Sequence, residues 1–385
     1  MSVLVDAPET LTEPDRLEGV PHPRETVLLI GQDPAETAFL TAYNAGRLHS
    51  GWLLTGPKGI GKATLAWRIA RFLLSRPAGG DDTALGLFGD TPAKPASLDV
   101  DLNNPEARRV ISGAHPGLFL IRRNHDEKGR LRKEITVDAV RGIKSFFGLS
   151  ATEGGWRVVI VDCADEMNRS AANAILKELE EPPARTVILL VSHQPSRLLP
   201  TIRSRCRELR LAPLDDTQIG AAMEAAGFTA PETGALAALS GGSVGESIRL
   251  LSQDGLALYH ELITLLSGIP SFDRPAAIAL ANSCAAKGAE ARYTLVLDLL
   301  ATFLARCARA GLIGEPSMQG APGEARLLAR LSPDDRAARA WADLAQDLSA
   351  RAGHARAVNL DPSSVILDML FKIEETAARH AAATV

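Results

Sequence analysis

Gly56-Pro57-Lys58-Gly59-Ile60-Gly61-Lys62-Ala63-Thr64 is the stretch that decides the fold. Its first glycine, its Gly-Lys pair and the spacing between them follow the phosphate-loop pattern G-x-x-x-x-G-K-[ST]. The apolar run Trp52-Leu53-Leu54 precedes it, and the helical pattern Leu65-Ala66-Trp67-Arg68-Ile69-Ala70 follows. That is the strand, loop and helix setting such a loop requires. Glycines let backbone N–H groups curl around an anion. The start of a helix adds partial positive charge, and Lys62 stands where a lysine reaches the outer phosphates. One part is missing. The position after that lysine should carry a hydroxyl for Mg²⁺, and here it is Ala63. Thr64 comes one residue late, about 100° further round a helix. Residues Gly56 to Thr64 are therefore expected to hold a nucleotide and to hydrolyse it poorly.

A second element lies about a hundred residues downstream. Arg157-Val158-Val159-Ile160-Val161-Asp162 is an apolar strand ending in a carboxylate. In phosphate-loop proteins such an Asp helps to hold Mg²⁺. Hydrolytic proteins of this kind usually place a Glu beside it to polarise water, whereas this chain has Cys163. Asp165 and Glu166 follow, and acids at the start of a helix need no catalytic explanation.

Working outward, residues 24–212 alternate strand and helix patterns. Trp52–Leu54, Gly117–Ile121, Arg157–Asp162, Thr186–Ser192 and Glu208–Leu211 are short runs rich in Val, Ile and Leu. Such runs suit strands buried on both faces of a parallel sheet. Helical patterns cover 34–46, 62–75, 137–148 and 168–181, so the fold class is α/β. Residues 76–114 read as an irregular insertion, and the charged segment 122–134 as a solvated hairpin or loop. Asn168 or Ser170 caps the helix that Pro182-Pro183 ends. Beyond Pro213 the strand signals cease. Residues 213–255 are expected to form a small helical lid, and 256–385 a separate all-α domain with a loop at 313–324.

Bulk properties narrow the classes. The chain has 385 residues, 46% hydrophobic and 23% charged, with a formal net charge of −4. It is no general polycation, so any contact with nucleic acid must be local or shared. No apolar run approaches the length of a bilayer span. Residues 1–23 are polar and acidic without the apolar core of a signal peptide, which reads as a disordered tail on a cytoplasmic protein. The four cysteines form no C-x-x-C pair and the eight histidines are scattered, so neither zinc nor another structural metal is expected.

Thr201-Ile202-Arg203-Ser204-Arg205-Cys206-Arg207 lies between the fourth and fifth strand patterns. Three arginines in five residues suit a solvated turn. The order Ser204-Arg205-Cys206 is more specific. Together with Gly56 to Lys62, Val161-Asp162 and the helix phrase ending Leu179-Glu180-Glu181-Pro182-Pro183, it resembles the clamp-loader branch of the AAA+ ATPases that serves bacterial DNA polymerase III. The resemblance runs by motif over about residues 24–255. It implies an AAA+ sheet domain, a helical lid and a C-terminal collar domain that joins subunits.

By that resemblance Arg205 is an arginine finger, acting in trans on the ATP site of an adjacent subunit. The motor subunits of that branch carry an Arg in the lid after a Gly-Ser pair, where this chain has Gly242-Ser243-Val244-Gly245. Many carry a four-cysteine zinc module where residues 76–114 have no cysteine. The expectation is a stator-like subunit with possible ATP binding at Gly56–Thr64 and Asp162 and little or no hydrolysis. Its implied partners are motor-type gamma/tau and clamp-opening delta subunits, with the sliding clamp and primed DNA met through the complex. Two other readings stay open: a hydrolysing motor-type clamp-loader ATPase, which needs Thr64 or water for the missing hydroxyl and Glu166 at the attacking water, and another AAA+ remodeller in DNA repair or helicase loading.

Overall fold

The structure, a computed structural model, describes residues 13–14, 16, 19–76, 94–149 and 155–383. Most of the tail expected at 1–23, and residues 77–93 of the insertion expected at 76–114, lie outside the described residues. The chain divides into two compact units. The first comprises Met1–Leu214, Glu224–Gly227 and Ser243–Gly245; the second comprises Asp215–Met223, Phe228–Gly242 and Glu246–Val385.

The first unit is built on five strands: β1 (Gly51–Thr55), β2 (Leu118–Ile121), β3 (Arg157–Val161), β4 (Thr186–Ser192) and β5 (Arg207–Arg210). They form one sheet in the order β2-β3-β4-β1-β5, with every pairing parallel. Its helices are α1 (Asp33–Asn44), α2 (Lys62–Leu74), α3 (Pro105–Ile111), α4 (Val137–Leu149), α5 (Arg169–Glu180) and α6 (Pro200–Arg203).

β1, β3 and β4 are buried at every position, as apolar strands covered on both faces must be. Leu53, Val159, Val161, Ile188 and Leu190 face Ile143 of α4, Ile175 and Leu179 of α5 and Ile202 of α6. The alternate side chains face the other way, with Trp52 of β1 packing on Phe39 of α1 at a ring distance of 5.1 Å. Burying one such large side chain contributes about 2–3 kcal/mol.

Local chemistry sets the helix ends. Asn168 caps α5 by accepting from the Ala171 N–H at 2.9 Å. Within the expected irregular insertion, α3 is a difference from the sequence reading. Asn104 caps it through the Glu106 N–H at 2.8 Å and Pro105 opens it, but seven residues are too few to show a helical period. The charged segment around Gly129 is a hairpin: Asp126 and Arg130 share a backbone bond of 2.8 Å, and His125 bridges antiparallel to Leu131. Ahead of α1, Glu13 meets Arg24 and Arg122 at 2.8 and 2.9 Å, and His22 is buried edge-on to Trp67.

The second unit is helical throughout its described residues, apart from connecting turns. Its helices are α7 (Asp216–Ala225) and α9 (Val244–Ser252), of which Glu224, Ala225, Val244 and Gly245 belong to the first unit, with α8 (Thr233–Ser240), α10 (Gly255–Ser267), α11 (Arg274–Ala285), α12 (Glu290–Ile313), α13 (Glu324–Leu331), α14 (Asp335–Ala357) and α15 (Pro362–Ala383). α12 packs along α14, and α11 along α15. The loop after α12 is anchored by Glu324, which is fully buried. Its carboxylate accepts from Tyr259 Oη and Gly320 N, both at 2.6 Å, and from Arg306. No helix among the described residues is long and apolar enough to cross a membrane.

Candidate functional site

The residues singled out in the sequence fall at the two ends of β1. Gly56, Pro57, Lys58, Gly59, Ile60 and Gly61 form the turn leaving its C-terminal end, and Lys62, Ala63 and Thr64 begin α2. Gly56, Gly59 and Gly61 all have positive φ, and Gly61 is the left-handed cap of α2. That is the backbone a phosphate cradle needs. Pro57 and Lys58 are exposed, and Ile60 is buried beneath them.

Protein atoms already engage this turn. Lys62 Nζ donates to the carbonyls of Gly56, at 2.6 Å, and of Pro57. Its ammonium is thus turned onto the loop's own oxygens. Burial brings its pKa down to about 8, against the pull of the Asp165 and Asp162 carboxylates. The Gly59 carbonyl accepts from the Gly245 N–H at 3.2 Å. A Cβ at Gly59 would collide with Ser243 Oγ, so only glycine permits that contact.

Asp162 follows β3 directly and is buried. The next residue, Cys163, is held at φ 59°, a left-handed conformation that costs a side-chain-bearing residue of order 1 kcal/mol or more. Its Sγ lies 3.4 Å from His193 Nε2 and 3.9 Å from Asp162 Oδ1. Burial and the three carboxylates around it push the thiol far above its ordinary range, so it stays protonated. Burial, then Lys62, lowers His193 to about 4.

The two acids beyond the cysteine are committed elsewhere. Asp165 Oδ1 accepts from the His193 N–H at 2.9 Å, and Glu166 pairs with Arg123 at 2.7 Å. The structure therefore gathers Lys62, Asp162, Cys163, Asp165 and His193 beside the loop that follows β1. Ala63, the residue after Lys62 in α2, carries no side-chain oxygen. Among the described residues, no group of three or more His, Cys, Asp or Glu side chains is placed to hold a metal ion.

Arg205 stands at the other end of β1. Its Nη1 donates to Thr201 O at 3.0 Å, its Nη2 lies 2.7 Å from Glu180 Oε1, and its side chain is 38% exposed. A Cβ on Gly51 would lie 2.9 Å from Leu179 and 3.1 Å from the Arg205 carbonyl. The missing side chain at Gly51 thus lets α5 and the Arg205 backbone close onto the strand.

Two contributors escaped the sequence reading. Gln32 is buried and ties the loop to the end of β5: Nε2 donates to Ile60 O (3.2 Å) and Ala212 O (2.8 Å), and Oε1 accepts from Ala212 N (3.1 Å). Nothing in a lone glutamine before a helix announces this. Glu180 was read only as part of the helix phrase, although its place one residue before the stop at Glu181-Pro182-Pro183 marks it as a helix-end side chain.

The sheet order with the loop after β1, the acid after β3 and the helical second unit defines a protein of the AAA+ class. A family model described as DNA polymerase III, delta subunit, matches residues 31–215. DNA polymerase III subunit delta' of Escherichia coli (strain K12) is 30% identical over 339 residues, 87% of this chain and 92% of that relative. The chain belongs to the DNA polymerase III subunit delta' family. Subunit delta' of Pseudomonas aeruginosa is 40% identical over 209 residues, which cover 52% of this chain and little more than half, 56%, of that relative. DNA polymerase III subunit tau of Escherichia coli (strain K12) is 28% identical over 198 residues, 51% of this chain and 27% of tau.

Proposed function

We propose that this chain is a stator-like clamp-loader subunit that lends Arg205 to the ATP site of an adjacent ATPase subunit while turning over no ATP itself. The observation that carries the reading is the contrast between its two ends of β1. At the loop end Ala63 offers no hydroxyl and Cys163 follows Asp162, while at the other end Arg205 sits at the surface just after α6. A guanidinium stays charged and offers phosphate oxygens a planar fork. Residues 24–212 would be the AAA+ sheet domain, 213–255 the lid, and 256–385 the collar joining subunits of the delta and gamma/tau kinds. The assembly would place the sliding clamp on primed DNA at the expense of ATP, in the cytoplasm. Nucleotide, where it binds this chain, would sit on Gly56–Thr64 without being consumed.

The test compares ATP turnover by the purified chain with turnover by a complex reconstituted with tau-type and delta-type subunits and DNA. The isolated chain should show none above background, and the complex should need it. Hydrolysis of several ATP per second by the isolated chain would overturn the reading in favour of a motor subunit.

A further inference from the structure

Glu180 ends α5, and Arg205 follows α6 by two residues. Both backbones are fixed. Leu179 and Ile202 are buried in one apolar cluster, and the Arg205 N–H donates to Ile202 O at 3.1 Å. An arginine on so long a stem would otherwise sweep a wide arc. Here one edge of the guanidinium is taken by Thr201 O and the Glu180 carboxylate, at 3.0 and 2.7 Å. Both side chains remain reachable from solvent, at 38% and 48% exposure.

We propose that Glu180 is a positioning residue that parks the Arg205 guanidinium in the free chain and yields it to a phosphate of a neighbouring subunit's nucleotide. This rests on reading Arg205 as a group that acts in trans. A carboxylate and a phosphate oxygen compete for the same N–H fork. An exposed ion pair is worth no more than about a fivefold factor in an equilibrium, so a polyanion displaces it. Glu180 then opposes engagement in ground state and transition state alike. An effect of that kind moves KM and leaves kcat in place.

The experiment is steady-state ATP hydrolysis by the reconstituted complex carrying Glu180→Gln, Arg205→Ala or both, with titration of a fluorescent ATP analogue alongside. Glu180→Gln should lower KM about two- to fivefold, with kcat within twofold. A fall in kcat would mean that Glu180 braces the arginine in its working position, and an unchanged KM that it does nothing; either result overturns the proposal. In the Arg205→Ala background Glu180→Gln should leave the analogue's affinity unmoved. A shift that survives there would show that the effect bypasses Arg205, which also overturns it. If Arg205→Ala alone leaves turnover intact, the trans reading fails and parking fails with it. If Arg205→Ala abolishes turnover while Glu180→Gln is silent, parking alone fails.

Discussion

At one end of β1 a lysine closes on its own loop; at the other a guanidinium stands partly exposed at the surface. The loop after Thr55 has its lysine on Gly56 and Pro57, its apex on Gly245 and its flank on Gln32. The corner before Gly51 offers a guanidinium that a carbonyl and a half-exposed carboxylate hold. About 16 Å of strand separates the two, at roughly 3.3 Å per residue. One strand thus carries an inward-looking turn at one end and an outward-looking guanidinium at the other. A loop's shape and its chemistry are separate matters: the three positive-φ glycines give the cradle its backbone, while Ala63 and Cys163 bring no oxygen to it.

The contrast breaks most decisively at Arg205. Arg205→Ala should leave the isolated chain's unfolding midpoint within error and lower turnover by the reconstituted complex roughly 10³-fold, the lower range for an arginine acting in trans. Normal turnover would remove the outward-looking site. Next in size is Gln32→Leu. It leaves the buried Ile60 carbonyl without its side-chain donor, at a cost of about 1–3 kcal/mol in urea unfolding for one unsatisfied buried group, while the backbone groups of exposed Ala212 turn to water. Gly51→Val should cost about 1–3 kcal/mol by overpacking. Because it displaces Leu179 or the Arg205 carbonyl, it should also reduce turnover by the complex.

The inward-looking end makes a prediction with pH. Lys62 titrates near 8 in the fold against an ordinary 10.5. Between those values the unfolded chain holds more protons at this position, so Lys62 makes stability rise with pH across that window. Below pH 8 the burial cost of the charged amine is fully present. Urea midpoints measured from pH 7.5 to 10 should therefore rise more for the parent chain than for Lys62→Met. The smallest effect expected is on function: Lys62→Ala should change turnover by the reconstituted complex less than twofold, and a dead complex would show that this site does turn over.

How far these features were legible follows from their range along the chain. The five strands and the helices starting at Lys62 and Arg169 are written in local patterns, apolar runs and a helix cap, so the sequence places them within a residue or two. Local motifs likewise locate Gly56–Thr64, Asp162 and Arg205. What stays hidden depends on pairs far apart in sequence. Gln32 meets Ala212, His193 meets Cys163 and Arg123 meets Glu166. No periodicity records such encounters. The acids at 165 and 166 are the instructive case: their sequence position suits the start of a helix, but their partners, the His193 N–H and Arg123, come from distant segments.

Gln32 carries a consequence for synthesis. Its partner Ala212 lies 180 residues later in the chain, and β5, which shields one edge of β1, ends only two residues before it. At about 5–20 residues per second, a ribosome takes roughly 10–35 s to make the intervening segment. Throughout that interval β1, apolar on both faces, lacks its β5 neighbour. A chaperone that sequesters residues 51–55 would matter most in those seconds, and a transcript stalled before codon 207 should release a product prone to aggregate through that bare edge.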